Sequence, residues 1–223
     1  MKLDKVVPFG RSFDEYTKMF DLSSEDLQKH ILGVGDGPAS FNAEGTLKGY
    51  RITSIDPVYQ FDGAEIKHRF DAVVDNIINQ VIATPKNWVW SYHKNPQDLK
   101  ANRIKALETF LADYQQGRQQ RRYLAQKLPK LKFRNKTFDL ALCSHFLFLY
   151  SQQLNRDFHF AAIQEILRIS KEVRIFPLLT LMQKTSPYLD FIIEEFSNLG
   201  YCVSIVEVPY ELQPGANKML VIK

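Results

Sequence analysis

Cysteine is nearly missing from this chain: two among 223 residues, Cys143 and Cys202, each inside an apolar run and neither spaced as part of a ligand cluster. That argues against a disulfide framework and predicts two reduced, buried thiols. Metal-ligand spacing is also lacking, because His68, His93 and His159 have no Cys or acid partner at the required separation. No serine lies in a nucleophile-elbow context. Neither sign of charge dominates, with Lys+Arg at 29 and Asp+Glu at 25, so net charge alone names no partner. Long hydrophobic runs are absent as well: the longest, Phe138 to Tyr150, contains Asp139, Ser144 and His145 and is too short to span a bilayer. Met1 to Pro8 lacks the apolar core of a signal peptide, so a soluble, cytoplasmic protein without a membrane partner is expected. There is no internal repeat or low-complexity tract. At 45% hydrophobic residues the chain is long enough for one sizeable core, and a single domain over 1–223 is expected.

What is there begins at His30. An apolar strand, His30 to Val34, runs into the turn Gly35-Asp36-Gly37-Pro38, and a second strand, Tyr50 to Asp56, ends in an acid followed by Pro57. Glycines let backbone N–H groups approach a ligand, and an acid at the tip of the next strand can accept both hydroxyls of a ribose. Between them Ser40 to Leu47 forms a short helix that Gly49 ends, completing one βαβ unit.

Upstream, Ser12-Phe13-Asp14-Glu15 is a capping-box pattern that opens a helix with Phe13, Tyr16 and Phe20 on one face. Residues 1–27 are read as a helical lid over the end of the sheet, with Arg11 and Tyr16 either part of that lid or in direct contact with a ligand. Downstream, Ile66, Phe70, Val73, Val74, Ile77, Ile78 and Val81 recur at helical spacing until Pro85; Asn95-Pro96 then starts a second amphipathic helix carrying Leu99, Ile104, Leu107, Leu111 and Tyr114. The stretch 62–116 is therefore read as a helical insertion. Its aromatic cluster around Trp88 either walls a substrate pocket or packs the two helices together.

From Arg118 to Lys136 eight basic residues occur, interspersed with Tyr123, Leu124, Leu128, Leu131 and Phe133, a pattern that either tracks a phosphate backbone or belongs to a third strand with solvated flanks. Phe138 to Ser144 reads as a fully buried fourth strand. A helix at Phe158 to Ser170, a fifth strand at Glu172 to Pro177 and a last helix opened by Ser186-Pro187 follow. Two final strands, Tyr201 to Val208 and Lys218 to Ile222, have no helix between them and predict an antiparallel hairpin.

This order of motifs resembles the class I S-adenosylmethionine-dependent methyltransferases, and the whole chain looks like a bacterial group of such proteins with no assigned substrate. The resemblance implies an α/β fold: a doubly wound, seven-stranded, mostly parallel Rossmann-like sheet with a C-terminal antiparallel hairpin, here with a helical insertion. It implies S-adenosylmethionine as cofactor, with Gly33, Gly35, Asp36 and Gly37 in the first motif, Asp56 and Pro57 in the second, and Leu131 and Ser144-His145 in the third and fourth segments. Arg11 and Tyr16 join that cofactor set. Tyr150, Trp88 and Tyr59 are the expected acceptor-side residues. Two positions depart from the pattern. Gly33 stands where many members carry an acid, and Ala39 where a third glycine is common. Asp36 either supplies the missing acid or caps the following helix. The adenine-reading position falls in Gln126-Lys127-Leu128.

Methyl transfer needs alignment and exclusion of water more than it needs a covalent nucleophile. His145 is the candidate general base for an acceptor that carries a proton at neutral pH, or else a structural or cofactor-contacting histidine. The Asn/Asp-Pro-Pro-aromatic tetrad of amino methylation is replaced by Ser144-His145-Phe146-Leu147, which argues against nucleic acid and for a small-molecule acceptor. A dinucleotide oxidoreductase is the competing enzyme reading, opposed by Pro38 at the third fingerprint position. An interaction module that keeps the fold is the non-enzymatic alternative. Oligomeric state is not legible.

Overall fold

The computed structural model describes Leu3 and residues 6–223. Residues 1, 2, 4 and 5 of the expected lid, and with them half of the stretch read for a signal peptide, lie outside the described residues.

Seven strands form one sheet: β1 (Ile31–Val34), β2 (Ile52–Ile55), β3 (Tyr123–Leu124), β4 (Phe138–Ser144), β5 (Ser170–Phe176), β6 (Val203–Glu207) and β7 (Lys218–Ile222). Their spatial order is β3-β2-β1-β4-β5-β7-β6. The pairs from β3 to β5 are parallel, whereas β7 runs antiparallel to both β5 and β6. This is the doubly wound sheet with a C-terminal hairpin that the resemblance implies. A dinucleotide-binding sheet has the strand order 3-2-1-4-5-6; the reversed β7 wedged between β5 and β6 departs from it.

Among the described residues the α-helices are α1 (Phe13–Met19), α2 (Ser24–Leu27), α3 (Phe41–Leu47), α4 (Gly63–Ala83), α5 (Pro96–Gln119), α6 (Arg156–Ile169) and α7 (Leu189–Asn198). Strand alternation sorts them onto two faces. Ile31, Leu140 and Leu142 pack with Tyr16 and Met19 of α1, Phe20 just after it and Phe41 of α3. Leu32, Val34, Ala141 and Cys143 pack with Ile163 and Ile166 of α6 and Ile192 and Phe196 of α7. α1 and α2 thus cover a sheet face and contribute to its core, a larger role than that of a lid.

The long pair α4 and α5 packs at the β3 edge around Ile66, Phe70, Val74, Leu107, Phe110 and Tyr114. Asp62 caps α4 by accepting the Glu65 N–H, and Asn95 caps α5 by accepting that of Asp98, with Pro96 in the first turn. Among the described residues no helix is long and apolar enough to cross a membrane.

Several expectations are corrected. Strand three has two residues only, because Arg121 before it takes a left-handed φ of 60° and the chain turns away after Leu124. The last helix starts at Leu189, with Tyr188 and not Ser186 preceding it. Of the two thiols Cys143 is buried and Cys202 exposed, since Cys202 directly precedes the edge strand β6, three of whose five residues are exposed. Three side chains of the basic run bond within the fold: Arg118 donates to the Phe61 carbonyl at 3.4 Å, Arg122 forks onto Asp113 at 2.6 and 2.7 Å, and the Lys136 ammonium donates to the carbonyls of Leu167 and Ser170.

Candidate cofactor and acceptor site

A cavity of about 590 Å³ opens where β1, β2 and β4 end, within the 300–1,000 Å³ typical of small-ligand sites. It lies at the switch point of the sheet, where β1 is flanked by β2 on one side and β4 on the other. Val34, Gly35, Asp36 and Gly37 line it from β1, Asp56 and Pro57 from β2, and Ser144 and His145 from β4. The segment from Val6 to Arg11, with Tyr16, forms a wall. Glu65, His68 and Arg69 of α4 close another side, and Gln126, Lys127 and Leu128 lie beyond β3.

The turn is built as its glycines suggest. Gly35 and Gly37 take φ of 68° and 53°, a region that side-chain-bearing residues rarely adopt. Gly37 donates its N–H to one Asp56 oxygen at 2.9 Å while the other accepts from Val58 at 2.8 Å, so the acid at the tip of β2 is fixed by two backbone donors. Burial nevertheless pushes the Asp56 carboxyl up to about 6.

Asp36 resolves the departure at position 33. A Cβ built on Gly33 would fall on the Asp36 carboxylate, so the acid at 36 fills the space that a side chain at 33 would take. It caps no helix: the residue before α3 is Ser40, whose hydroxyl bonds Glu44. The Asp36 carboxylate accepts from Tyr16 at 2.7 Å and Ser54 at 2.6 Å and is 5% exposed. Burial raises its carboxyl to about 7, with Asp56 adding repulsion and the two hydroxyl bonds opposing.

His145 has a left-handed backbone, uncommon outside glycine, with φ at 50°, and its N–H donates to the Phe176 carbonyl at 2.6 Å. Its Nδ1 pairs with the Ser144 hydroxyl at 3.0 Å, and no hydrogen bond is made by Nε2 among the described residues. Burial, reinforced by Arg11 and Arg103, depresses the imidazole well below its ordinary range. The ring is therefore neutral at physiological pH.

Arg11 is a half-buried residue with its Nε enclosed, its guanidinium donates to the Phe9 carbonyl, and desolvation together with Arg103 lowers it to about 10. Sequence reasoning missed Arg103 altogether. It is 1% exposed and forks onto Glu15 at 2.6 and 2.7 Å, and Glu15 also accepts from Tyr210 at 3.0 Å. Although burial opposes ionisation, Arg103 holds the Glu15 carboxyl well below its usual range. A signal was present: Arg103 stands four residues from both Leu99 and Leu107, on the apolar stripe of α5.

Other expected residues fall elsewhere. Tyr59 does not line the cavity: it is 1% exposed and donates to the Gly37 carbonyl at 2.7 Å, propping the turn from behind among Phe110, Tyr114 and Tyr123. Leu131 is buried in the α6 side of the core, and Leu128 occupies the cavity wall instead. Trp88 and Tyr150 line a smaller, adjoining cavity.

No protein-family model matches the chain. It is 38% identical over 224 residues to the uncharacterized protein MJ0045 of Methanocaldococcus jannaschii, an alignment covering all of this chain and 98% of that one. The chain belongs to the MJ0045 family. Solved structures similar to this MJ0045-family protein include magnesium protoporphyrin IX methyltransferase (ChlM) from Synechocystis PCC 6803 with bound SAM. That structure has 11% identity, a TM-score of 0.46, and coverage of 87% of this chain and 69% of that one. A SAM-dependent methyltransferase from Aquifex aeolicus has 13% identity, a TM-score of 0.43 and coverage of 92% and 89%.

Proposed function

We propose that this MJ0045-family protein is an S-adenosylmethionine-dependent methyltransferase acting on a small-molecule acceptor. The observation that carries the reading is the pairing of the Gly35–Gly37 turn with Asp56 on one cavity at the sheet's switch point. Asp56 keeps lone pairs free beyond its two backbone bonds, which suits a ribose diol. The backbone of Gly35 and Gly37 permits close approach, and Asp36, in the space above Gly33, is the anion suited to an ammonium. Gln126, Lys127 and Leu128 would flank the adenine.

S-adenosylmethionine supplies a methyl group already activated by its sulfonium, so the protein's own work is to align, to dehydrate and to manage a proton. His145, neutral and with Nε2 unengaged, is suited to take that proton from an acceptor hydroxyl or amine. Ser144 holds the opposite ring nitrogen and fixes the orientation. The wall from Val6 to Arg11 keeps bulk water from the reacting centre.

Isothermal titration with S-adenosylmethionine and S-adenosylhomocysteine tests the reading: both are expected to bind, and folded protein that binds neither overturns it. Asp56→Ala is expected to weaken binding about ten- to hundredfold, the loss of about 1.5–3 kcal/mol for hydrogen bonds to a charged group. Unchanged affinity would remove Asp56 from the site.

A further inference from the structure

Beside the large cavity lies a second one of about 80 Å³, and Val7, Phe9, Arg11 and His145 line both. Its remaining walls are mostly apolar, with Val81 of α4, Trp88, Leu99 of α5, Leu149 and Leu181 among them. Among the described residues no acid lines it, whereas two guanidiniums do, Arg11 and Arg103. In each of them the Nε is buried and makes no hydrogen bond among the described residues. Arginine cannot relieve this by losing its proton at neutral pH, and a buried donor left unmade is costly. The pair flanks one ring, with guanidinium carbons 5.7 and 5.4 Å from the Phe9 centroid. One buried carboxylate, Glu15, serves them, and both of its oxygens are already taken by Arg103. Two guanidiniums thus stand by one buried carboxylate, and of the two only Arg103 is hydrogen-bonded to it.

We propose that the smaller cavity is the acceptor's anchoring pocket and that it takes the anionic end of a small organic acid. The carboxylate accepts from Arg11 and Arg103, and the first carbons lie against the apolar wall. This rests on the methyltransferase reading and assigns Arg11 to the acceptor in place of the cofactor. A void of this size is about half the ~150 Å³ that holds benzene in an engineered core, so it admits a carboxylate and a short chain. A longer acceptor extends past His145 into the large cavity, which puts its reacting atom beside the neutral imidazole. A carboxylate has a second source, the methionyl end of the cofactor, since Arg11 reaches both cavities.

The test uses the full chain saturated with S-adenosylhomocysteine and titrated with butyrate and with its neutral isostere butyramide, followed by ligand-observed NMR. Butyrate is expected to bind at least tenfold more tightly than butyramide, and Arg11→Met to abolish that preference. Ala216→Leu, at a residue lining only the smaller cavity, is expected to block butyrate while S-adenosylhomocysteine binds as before. Equal affinity for butyrate and butyramide overturns the proposal, and that comparison needs no variant to fold. An Arg11→Met protein that loses tenfold in S-adenosylhomocysteine affinity yet keeps the butyrate preference also overturns it, because Arg11 would then serve the cofactor. If S-adenosylhomocysteine fails to bind at all, the methyltransferase reading fails, and the same butyrate comparison on the free protein still decides the pocket.

Discussion

Gly33 and Asp36 share one piece of space. The nearest atoms to a Cβ at position 33 all belong to the Asp36 carboxyl group, so Gly33→Ala must displace an acid that Tyr16 and Ser54 hold in place. Overpacking of this kind costs about 1–3 kcal/mol. The same alanine in an Asp36→Ala background meets no carboxylate, and its cost is expected to fall close to zero. A double-mutant cycle measured by urea denaturation therefore gives a coupling of about 1 kcal/mol or more between the two positions; additive effects would contradict the shared-space account. The sequence carried half of this. Glycine at 33 and an acid at 36 were visible as departures from the family pattern, but whether Asp36 turned back over Gly33 or forward onto α3 depended on the φ of Gly35 and on two hydroxyl donors 18 and 20 residues away.

Elements were legible where their signals were local. β4 and β7 have the bounds that their apolar runs suggest, and α5 starts behind Asn95-Pro96. What ties the elements together was not legible, because its partners are far apart in sequence. Glu15 of α1, read as half of a capping box, does bond the Ser12 N–H at 2.9 Å, yet it also meets Arg103 of α5 and Tyr210 of the loop before β7. One buried carboxylate thus joins α1, α5 and the segment between β6 and β7. Removing one partner of such a pair strands the other charge in the core, which costs about 3–5 kcal/mol. Glu15→Gln and Arg103→Met are each expected to lower stability by about that amount, and the double variant by clearly less than the sum. Chemical denaturation of the three proteins checks this. Equal and additive losses would mean that the pair is screened by water and does not hold the elements together.

At the scale of the molecule, sheet order was readable from the succession of strand, helix and final hairpin, whereas the two cavities were not, since each gathers residues from segments more than a hundred positions apart. That gathering leaves Asp36 buried and Asp56 half-buried on one cavity, with no cation among their hydrogen-bond partners in the described residues, and the consequence is global. A carboxyl raised in the folded state, Asp36 to about 7 and Asp56 to about 6, contributes stability that is whole below its ordinary value of 3.8 and is lost as pH rises through the folded value. Glu15, and Asp26 lowered to about 2, act in the opposite sense: their contribution is present above their ordinary values and lost on acidification. Free protein is thus expected to be most stable near pH 4, where the two opposing contributions balance, and to weaken as pH rises to about 7. Asp36→Asn keeps an acceptor for Tyr16 and offers a donor to Ser54 while removing the charge, so it should flatten the alkaline side of that profile. A cationic ligand that pairs with ionised Asp36 should steepen its own affinity with rising pH, releasing a proton on binding below pH 7. Thermal unfolding at pH 5, 6.5 and 8, with and without S-adenosylmethionine, measures both effects. A ligand-induced rise in Tm that is no larger at pH 8 than at pH 6.5 would show that the anion at position 36 does not face the ligand's positive charge.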